Sequence, residues 1–412
     1  MKRGAIGAIG AQGAQAFASF VLQILVARTL GFTGLGRFAI LYGVIVLASG
    51  VITGFVGDSL VVLDRHHKPV RSALQQFALA LSLATGLVAG AVVFAIGLVN
   101  GVEAVLFGLA IVAFCLEELI RRMLMAQVTF WRVAAIDFLG FLVALGVIGV
   151  FALNGTLTLS AYLAGLVVGQ AVALVAGIPL LPPKERYVVA FQRGGYGIVA
   201  GYGIWRSLQQ LLRPAMLTVA RTLVTVFAGL AATGRLEAAR TYTAPALLVI
   251  SGLSSFLFVS FAKQQGQPVR SMLRRADKAV GALLLGTVVI GIIALVALPF
   301  VGPILFPKAP DVEAVIGWLL YTASVAAVTP YGALAALSGK QAVVFGVRLS
   351  DTLFSLISVS VVLLLLVPSS FTAMALSLGS ILGGLAIRFF ILVPLRRRDD
   401  RDRATPVDPE LG

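Results

Sequence analysis

Apolar residues run along this chain in long blocks, and polar residues collect in short breaks between them. Each block is about 18–25 residues long, enough to cross the hydrocarbon core of a bilayer as a helix. The pattern predicts twelve membrane-spanning helices, at about 8–27, 38–57, 74–98, 104–120, 134–153, 160–181, 207–228, 241–261, 279–302, 312–337, 349–368 and 373–394. The breaks on one face are all short. The longer ones, 58–73, 182–206 and 262–278, fall on the other face. No external domain is expected.

Basic residues orient the spans. With both termini placed in the cytoplasm, 24 of the 32 Lys and Arg residues lie on the cytoplasmic side. Five lie outside, and Arg213, Arg221 and Arg388 lie within spans. Cytoplasmic loops of membrane proteins carry such an excess. The expected topology is therefore multi-pass, with both termini cytoplasmic. Composition agrees: 59% of residues are hydrophobic and only 12% charged. The net charge of +15 reads as topogenic Lys and Arg, so no nucleic-acid partner is expected. Cys115 is the only cysteine, which excludes an intramolecular disulfide and a multi-cysteine metal site. His66 and His67 are adjacent and do not share a helix face. No metal and no cofactor are expected. No acid, base and nucleophile stand in a catalytic arrangement, so the chain does not read as an enzyme. The N-terminal MKR leads into a Gly/Ala-rich first span that reads as retained rather than cleaved.

A weak internal repeat divides the chain. Residues 33–54, TGLGRFAILYGVIVLASGVITG, align with 231–252, AATGRLEAARTYTAPALLVISG, at an offset of 198. Gly36–Arg37 matches Gly234–Arg235, Ile52 matches Ile250 and Gly54 matches Gly252. Six spans per half give both halves the same topology, with a pseudo-twofold axis along the membrane normal. The expected organisation is an N-terminal six-helix lobe (1–181), a cytoplasmic linker (182–206), a C-terminal six-helix lobe (207–394) and a disordered tail (395–412). The fold class is all-α and integral to the membrane.

The candidate chemistry centres on the seventh span, where Arg206, Arg213 and Arg221 interrupt an apolar run. Arg206 and Arg213 lie about 20° apart around a helix axis, and Arg221 about 80° further on. Gln209 and Gln210 fall on or beside this sector. A cation at the bilayer centre costs at least about 2.5–3.5 kcal/mol. The stripe should therefore face a wet cavity, and a cationic cavity suits an anionic cargo. Alternatively, Arg206 and Arg221 snorkel to opposite interfaces and Arg213 alone stays inside. Pro214 cannot join the helix ladder and reads as a hinge or a passive bend. In the fourth span, Glu117–Arg121 and Glu118–Arg122 are i,i+4 pairs with the acid first. They read as a helix-end salt-bridge pair or as a gate. Asp58, Asp137 and Asp351 sit near span ends, where an acid anchors charge or binds a coupling ion. Arg388 reads as a snorkelling residue.

The N-terminal stretch FVLQILVARTLGFTGLGRFAILYGVIVLASGVITGFVGD resembles the opening of polysaccharide-export flippases. These belong to the multidrug/oligosaccharidyl-lipid/polysaccharide exporter superfamily. CLEELIRRMLMA in the fourth span and YGIWRSLQQLLRP at the seventh are similar to the same group. The resemblance implies two lobes around a central cavity open alternately to each side. It implies a polyprenyl-pyrophosphate-linked oligosaccharide as cargo, with membrane lipids as surroundings. Polysaccharide polymerase or glycosyltransferase machinery is the implied protein partner. Twelve spans, against the fourteen usual in peptidoglycan-precursor flippases, turn the expectation away from lipid II. Three other readings stand beside it: a multidrug or cation antiporter of the same superfamily, a membrane polysaccharide polymerase or ligase, and a degenerate transporter acting as a scaffold or lipid-binding partner. Short outside loops weigh against the second. The absence of acids in spans one to three weighs against the first.

Overall fold

The computed structural model describes residues 2–64, 66–127, 129–186, 192, 194–262, 268–336 and 341–404. Among them every regular element is helical. The chain divides into two compact units, Met1–Thr225 and Val226–Gly412. The first holds α1 (Lys2–Ile52), a π-helical turn (Thr53–Gly57), α2 (Asp58–Val62), α3 (Lys68–Ala95), α4 (Gly101–Ala126), α5 (Phe130–Leu153), α6 (Leu159–Gly177) and nearly all of α7 (Tyr196–Ala228). The second holds α8 (Leu230–Ala262), α9 (Val269–Leu305), α10 (Val312–Ala336), α11 (Gln341–Leu364), α12 (Thr372–Ala386), a second π turn (Ile387–Leu392) and α13 (Val393–Ala404). Nine helical stretches among the described residues are long and apolar enough to cross a membrane. The protein is a multi-pass, all-α membrane protein.

The spans read from hydropathy coincide with these helices, the third, sixth and eleventh running a few residues past the ends of α3, α6 and α11, and two larger differences stand out. The first two spans form one helix, α1, broken only at Gly31 (φ 67°, ψ −171°). That backbone conformation is open to glycine and strained for other residues. Gly229 (φ 86°) separates α7 from α8 in the same way. Gly31 and Gly229 are 198 residues apart, the offset of the sequence repeat. Each repeat copy therefore opens just after a positive-φ glycine. Ile250 and Gly252 lie outside the side chains the structure describes, as do Arg65, Arg193, Lys263 and Lys340 of the charge count.

The second difference concerns α7 and the tail. The sequence predicted a linker through residue 206, yet α7 already starts at Tyr196. Its residues through Thr225 group with the first unit rather than the second. The cause is close packing on α1 and its π turn. A Cβ at Gly54 would stand 2.5 Å from the Ser207 Cα, and one at Gly203 would stand 2.7 Å from the Phe55 carbonyl oxygen. Two glycines thus let the backbones touch, as small residues do between membrane helices. The Ser207 hydroxyl donates to the Val51 carbonyl at 3.1 Å across the same seam. At the other end, residues 395–404, expected as disordered tail, continue as α13. Asp399 of α13 accepts the N–H of Val269 at 2.8 Å and so caps the start of α9. Residues 405–412 lie outside the described part.

A local signal explains where α4 starts. Asn100 accepts the Glu103 N–H at 2.9 Å, and Glu103 accepts the Asn100 N–H at 3.0 Å. This capping box fixes the start of α4. In the second unit, Trp318 Nε1 donates to the Leu236 carbonyl at 3.0 Å and the Tyr242 hydroxyl to the Ala294 carbonyl at 2.6 Å. These bonds tie α10 to α8 and α8 to α9.

Gly54→Leu should force α7 away from α1 and cost about 1–3 kcal/mol, as overpacking typically does. Gly146→Leu is the control, because nothing lies within 4 Å of the Cβ it would add. Melting of the purified protein in detergent should show a lowered transition for Gly54→Leu only. Equal melting of the two variants would contradict the seam.

Candidate functional site

The paired charges of α4 do not form two separate ladders. Arg121 Nη1 meets Glu118 Oε2, while Arg121 Nε reaches Asp137 Oδ1 of α5 at 2.9 Å. Its distance to Glu117 Oε1 is 3.7 Å, so that expected pair is the loosest contact of the group. Arg122 Nε donates to Glu118 Oε1 at 2.7 Å, as the i,i+4 spacing predicts. The Thr53 hydroxyl, on the π turn after α1, also donates to Glu118 Oε1, at 3.2 Å. Glu117, Glu118 and Arg121 are 3%, 7% and 4% exposed. Such burial excludes a solvated helix-end pair. Asp137 joins the group from α5 and is not an isolated interfacial anchor.

The acids outnumber the cations. Three carboxylates face two guanidinium groups, and isolated buried charge is heavily penalised in a low-dielectric interior. Two carboxylate oxygens, Glu117 Oε1 and Asp137 Oδ2, accept no hydrogen bond among the described residues, and neither does Gln170 Oε1 of α6. All three residues line a cavity of about 40 Å³, with Gln15, Ser19 and Tyr42 completing its polar lining. A water needs about 10–15 Å³ of such space. The cavity thus admits a water or a small cation beside two acids. Among the described residues no three His, Cys, Asp or Glu side chains converge as a metal-ligand set.

The arginines of α7 have three different surroundings. Arg206 pairs with Asp58: Nη2 lies 2.7 Å and Nε 2.9 Å from Asp58 Oδ2. Arg206 Nη1 donates to Gln209 Oε1 at 3.2 Å, and Gln210 Nε2 donates to Asp58 Oδ2 at 3.4 Å. Asp58, Arg206, Gln209 and Gln210 are thus one cluster, a role for Asp58 that its position alone did not indicate. Arg221 is buried and lies over α1, where a Cβ at Gly43 would stand 2.6 Å from its Nη1. Arg213 is exposed. Pro214 stays inside α7 without ending it.

In the second unit, Arg388 pairs with an acid instead of standing alone. Its Nε and Nη2 each donate to Asp277 at 3.1 Å, and the Tyr331 hydroxyl donates to Asp277 Oδ1 at 2.8 Å. Asp277 lies in the basic run RRADK, which reads as topogenic, so nothing in the sequence marked it. Asp351 lies against α12, where a Cβ at Gly383 would stand 2.5 Å from its Oδ2. Thr352 donates to Asp351 Oδ1 at 3.3 Å.

Arg121→Met should strip the three carboxylates of their shared cation and cost about 3–5 kcal/mol, the usual penalty for breaking a buried ionic group. Adding Glu118→Gln and Asp137→Asn to that variant should recover most of the loss. Melting in detergent reads both effects. A triple variant no more stable than Arg121→Met would argue that Arg121 acts through packing alone.

Neither a family model nor a curated protein sequence matches the chain. Solved structures do. An inward-facing multidrug resistance MATE family transporter of the MOP superfamily superposes with a TM-score of 0.69 at 13% identity, covering 95% of this chain and 96% of that one. A MOP superfamily transporter from Pyrococcus furiosus, described as having a binding pocket of reversed polarity, gives 0.64 at 13% identity over 97% and 95%. An outward-facing MATE family transporter gives 0.64 at 13% identity over 98% and 96%. The chain therefore has, over nearly its whole length, the fold seen in MOP superfamily transporters.

Proposed function

We propose that the protein is a bacterial plasma-membrane flippase. It moves a polyprenyl-pyrophosphate-linked oligosaccharide by alternating access, for cell-surface polysaccharide synthesis. The observation that carries this reading is Arg213, an exposed guanidinium in the middle of a membrane-spanning helix. Arg206 lies against Asp58 and Arg221 is buried over α1, whereas Arg213 is the exposed arginine of the stripe. A guanidinium binds phosphate oxygens through paired hydrogen bonds and stays protonated. The fold supports transport, because its neighbours include transporters caught both inward-facing and outward-facing. The neighbour from Pyrococcus furiosus, whose reversed pocket polarity is described as suggesting a different function, supports a fold in which pocket charge varies.

The Glu117–Asp137 cavity supplies the coupling device in this reading. Its one excess negative charge is balanced by a proton or an alkali cation that enters and leaves as the transporter cycles. The same cavity favours a second reading, a multidrug or cation antiporter, since it places acids inside the first unit. The two readings differ in cargo charge, and Arg213 separates them. An exposed cation attracts an anionic lipid and repels a cationic drug.

Arg213→Ala should abolish complementation of polysaccharide export while leaving protein level unchanged, because the side chain is exposed. Arg213→Lys should restore part of the activity, since it keeps the charge but loses the paired donors. Glu117→Gln should leave Arg213-dependent binding of pyrophosphate lipid intact but remove the response of transport to an imposed ion gradient. Normal export by well-expressed Arg213→Ala would contradict the cargo assignment.

A further inference from the structure

A second cavity lies in the first unit, apart from the acids and from the α7 stripe. It encloses about 310 Å³ between α3, α4 and the segment that follows α6. That is the lower end of the range of small-molecule sites, about 300–1,000 Å³. Its walls are aliphatic: Leu60, Leu74, Leu116, Leu119, Ile120 and Met123 line it. Leu79 and Ile178 also line it and are 51% and 39% exposed, so one side opens through apolar surface.

The other end is charged. Arg71, Glu185 and Arg186 line it, two guanidinium groups against one carboxylate. Arg71 is 7% exposed, and its Nη1 donates to the Lys184 carbonyl at 2.6 Å. Arg186 Nε donates to the Leu181 carbonyl at 2.7 Å. These bonds fix both guanidinium groups at the charged end. Glu185 is likewise 7% exposed and accepts from Gln127 Nε2 at 2.9 Å. Along α3 the lining passes from Arg71 through Gln75 to Leu79, a distance of about 12 Å at the helical rise. The gradient from cationic end to aliphatic chamber runs along the helix from its polar end toward the membrane interior.

We infer that this cavity is a binding site for an anionic membrane phospholipid. One acyl chain fills the aliphatic chamber, and the phosphate meets Arg186 and Arg71. Three features select this occupant over others. The opening lies on apolar surface, where lipid chains are the solvent. The lining carries one excess positive charge, which selects an anionic headgroup over a zwitterionic one. Basic pockets between membrane helices have this recognition chemistry in general. The site is independent of the cargo reading, since none of its residues belongs to the α7 stripe or to the Glu117–Asp137 cavity.

The test is native mass spectrometry of the full-length protein in nonionic detergent. The probes are phosphatidylglycerol, phosphatidylcholine and glycerol 3-phosphate. Phosphatidylglycerol should be retained as a single adduct, in preference to phosphatidylcholine, and excess glycerol 3-phosphate should not displace it. Arg186→Gln should weaken its retention about tenfold, the scale of one charge-assisted hydrogen bond. Leu116→Trp should abolish retention by filling the chamber. Arg71→Gln also removes the bond to the Lys184 carbonyl and can unfold the segment, so the other two variants decide. Arg397→Ala controls for general surface charge and should bind normally. Equal retention of phosphatidylcholine, displacement by glycerol 3-phosphate, or unchanged retention by Leu116→Trp would each overturn the inference.

Discussion

The buried guanidinium of Arg121 is the constraint from which most of the first unit follows. It sits at 4% exposure in a helix set among apolar neighbours, where an isolated cation would be prohibitive. It is tolerable only because Glu118 and Asp137 arrive from two sides. Asp137 brings α5 against α4. Glu118 also engages Arg122 and the Thr53 hydroxyl, which holds the π turn after α1. That turn carries Gly54, on which α7 packs, and ends beside Asp58, which takes Arg206. A line of polar contacts thus runs from α5 through α4 and the π turn to α7. Buried ionic groups are poor sources of net stability, but breaking one is costly. The network therefore specifies an arrangement more than it strengthens one.

The same network has one more acid than it has guanidinium groups, and this links structure to the proposed cycle. An acid with an unsatisfied oxygen beside a small cavity changes its interactions when a cation enters. A cation that binds there alters the link from α4 to α5, and through Glu118 it can alter the seat of α7. Arg213 lies on that same α7. In the proposed cycle this continuous set of contacts within the first unit would be the coupling route.

Much of the fold was legible because hydrocarbon imposes a simple rule: backbone groups must be satisfied within the helix, so apolar runs are helical. The spans, the number of helices and the repeat offset follow from that rule and from Gly and Arg positions. The charges were less legible. Local spacing correctly paired Glu118 with Arg122, since both lie on one helix. It overweighted Glu117–Arg121, because Arg121 instead turns toward Asp137 on the next helix. Arg388 looked like a snorkelling residue because Asp277 lies 111 positions away. Asp399, in a polar tail, gave no sign that it caps α9. In each case the partner comes from tertiary packing, which periodicity along one helix does not report. Gly54 and Gly203 were likewise visible as glycines but not as the seam that draws α7 to the first unit.

The most direct test of this account is transport by the purified protein in proteoliposomes. A fluorescent polyprenyl-pyrophosphate oligosaccharide would be placed in one leaflet and its appearance in the other read by a membrane-impermeant quencher. The account expects movement faster than in protein-free vesicles, and at the background rate with Arg213→Ala. Wild-type vesicles that leave the lipid at background, while expelling a cationic dye against an ion gradient, would contradict the flippase and establish the antiporter.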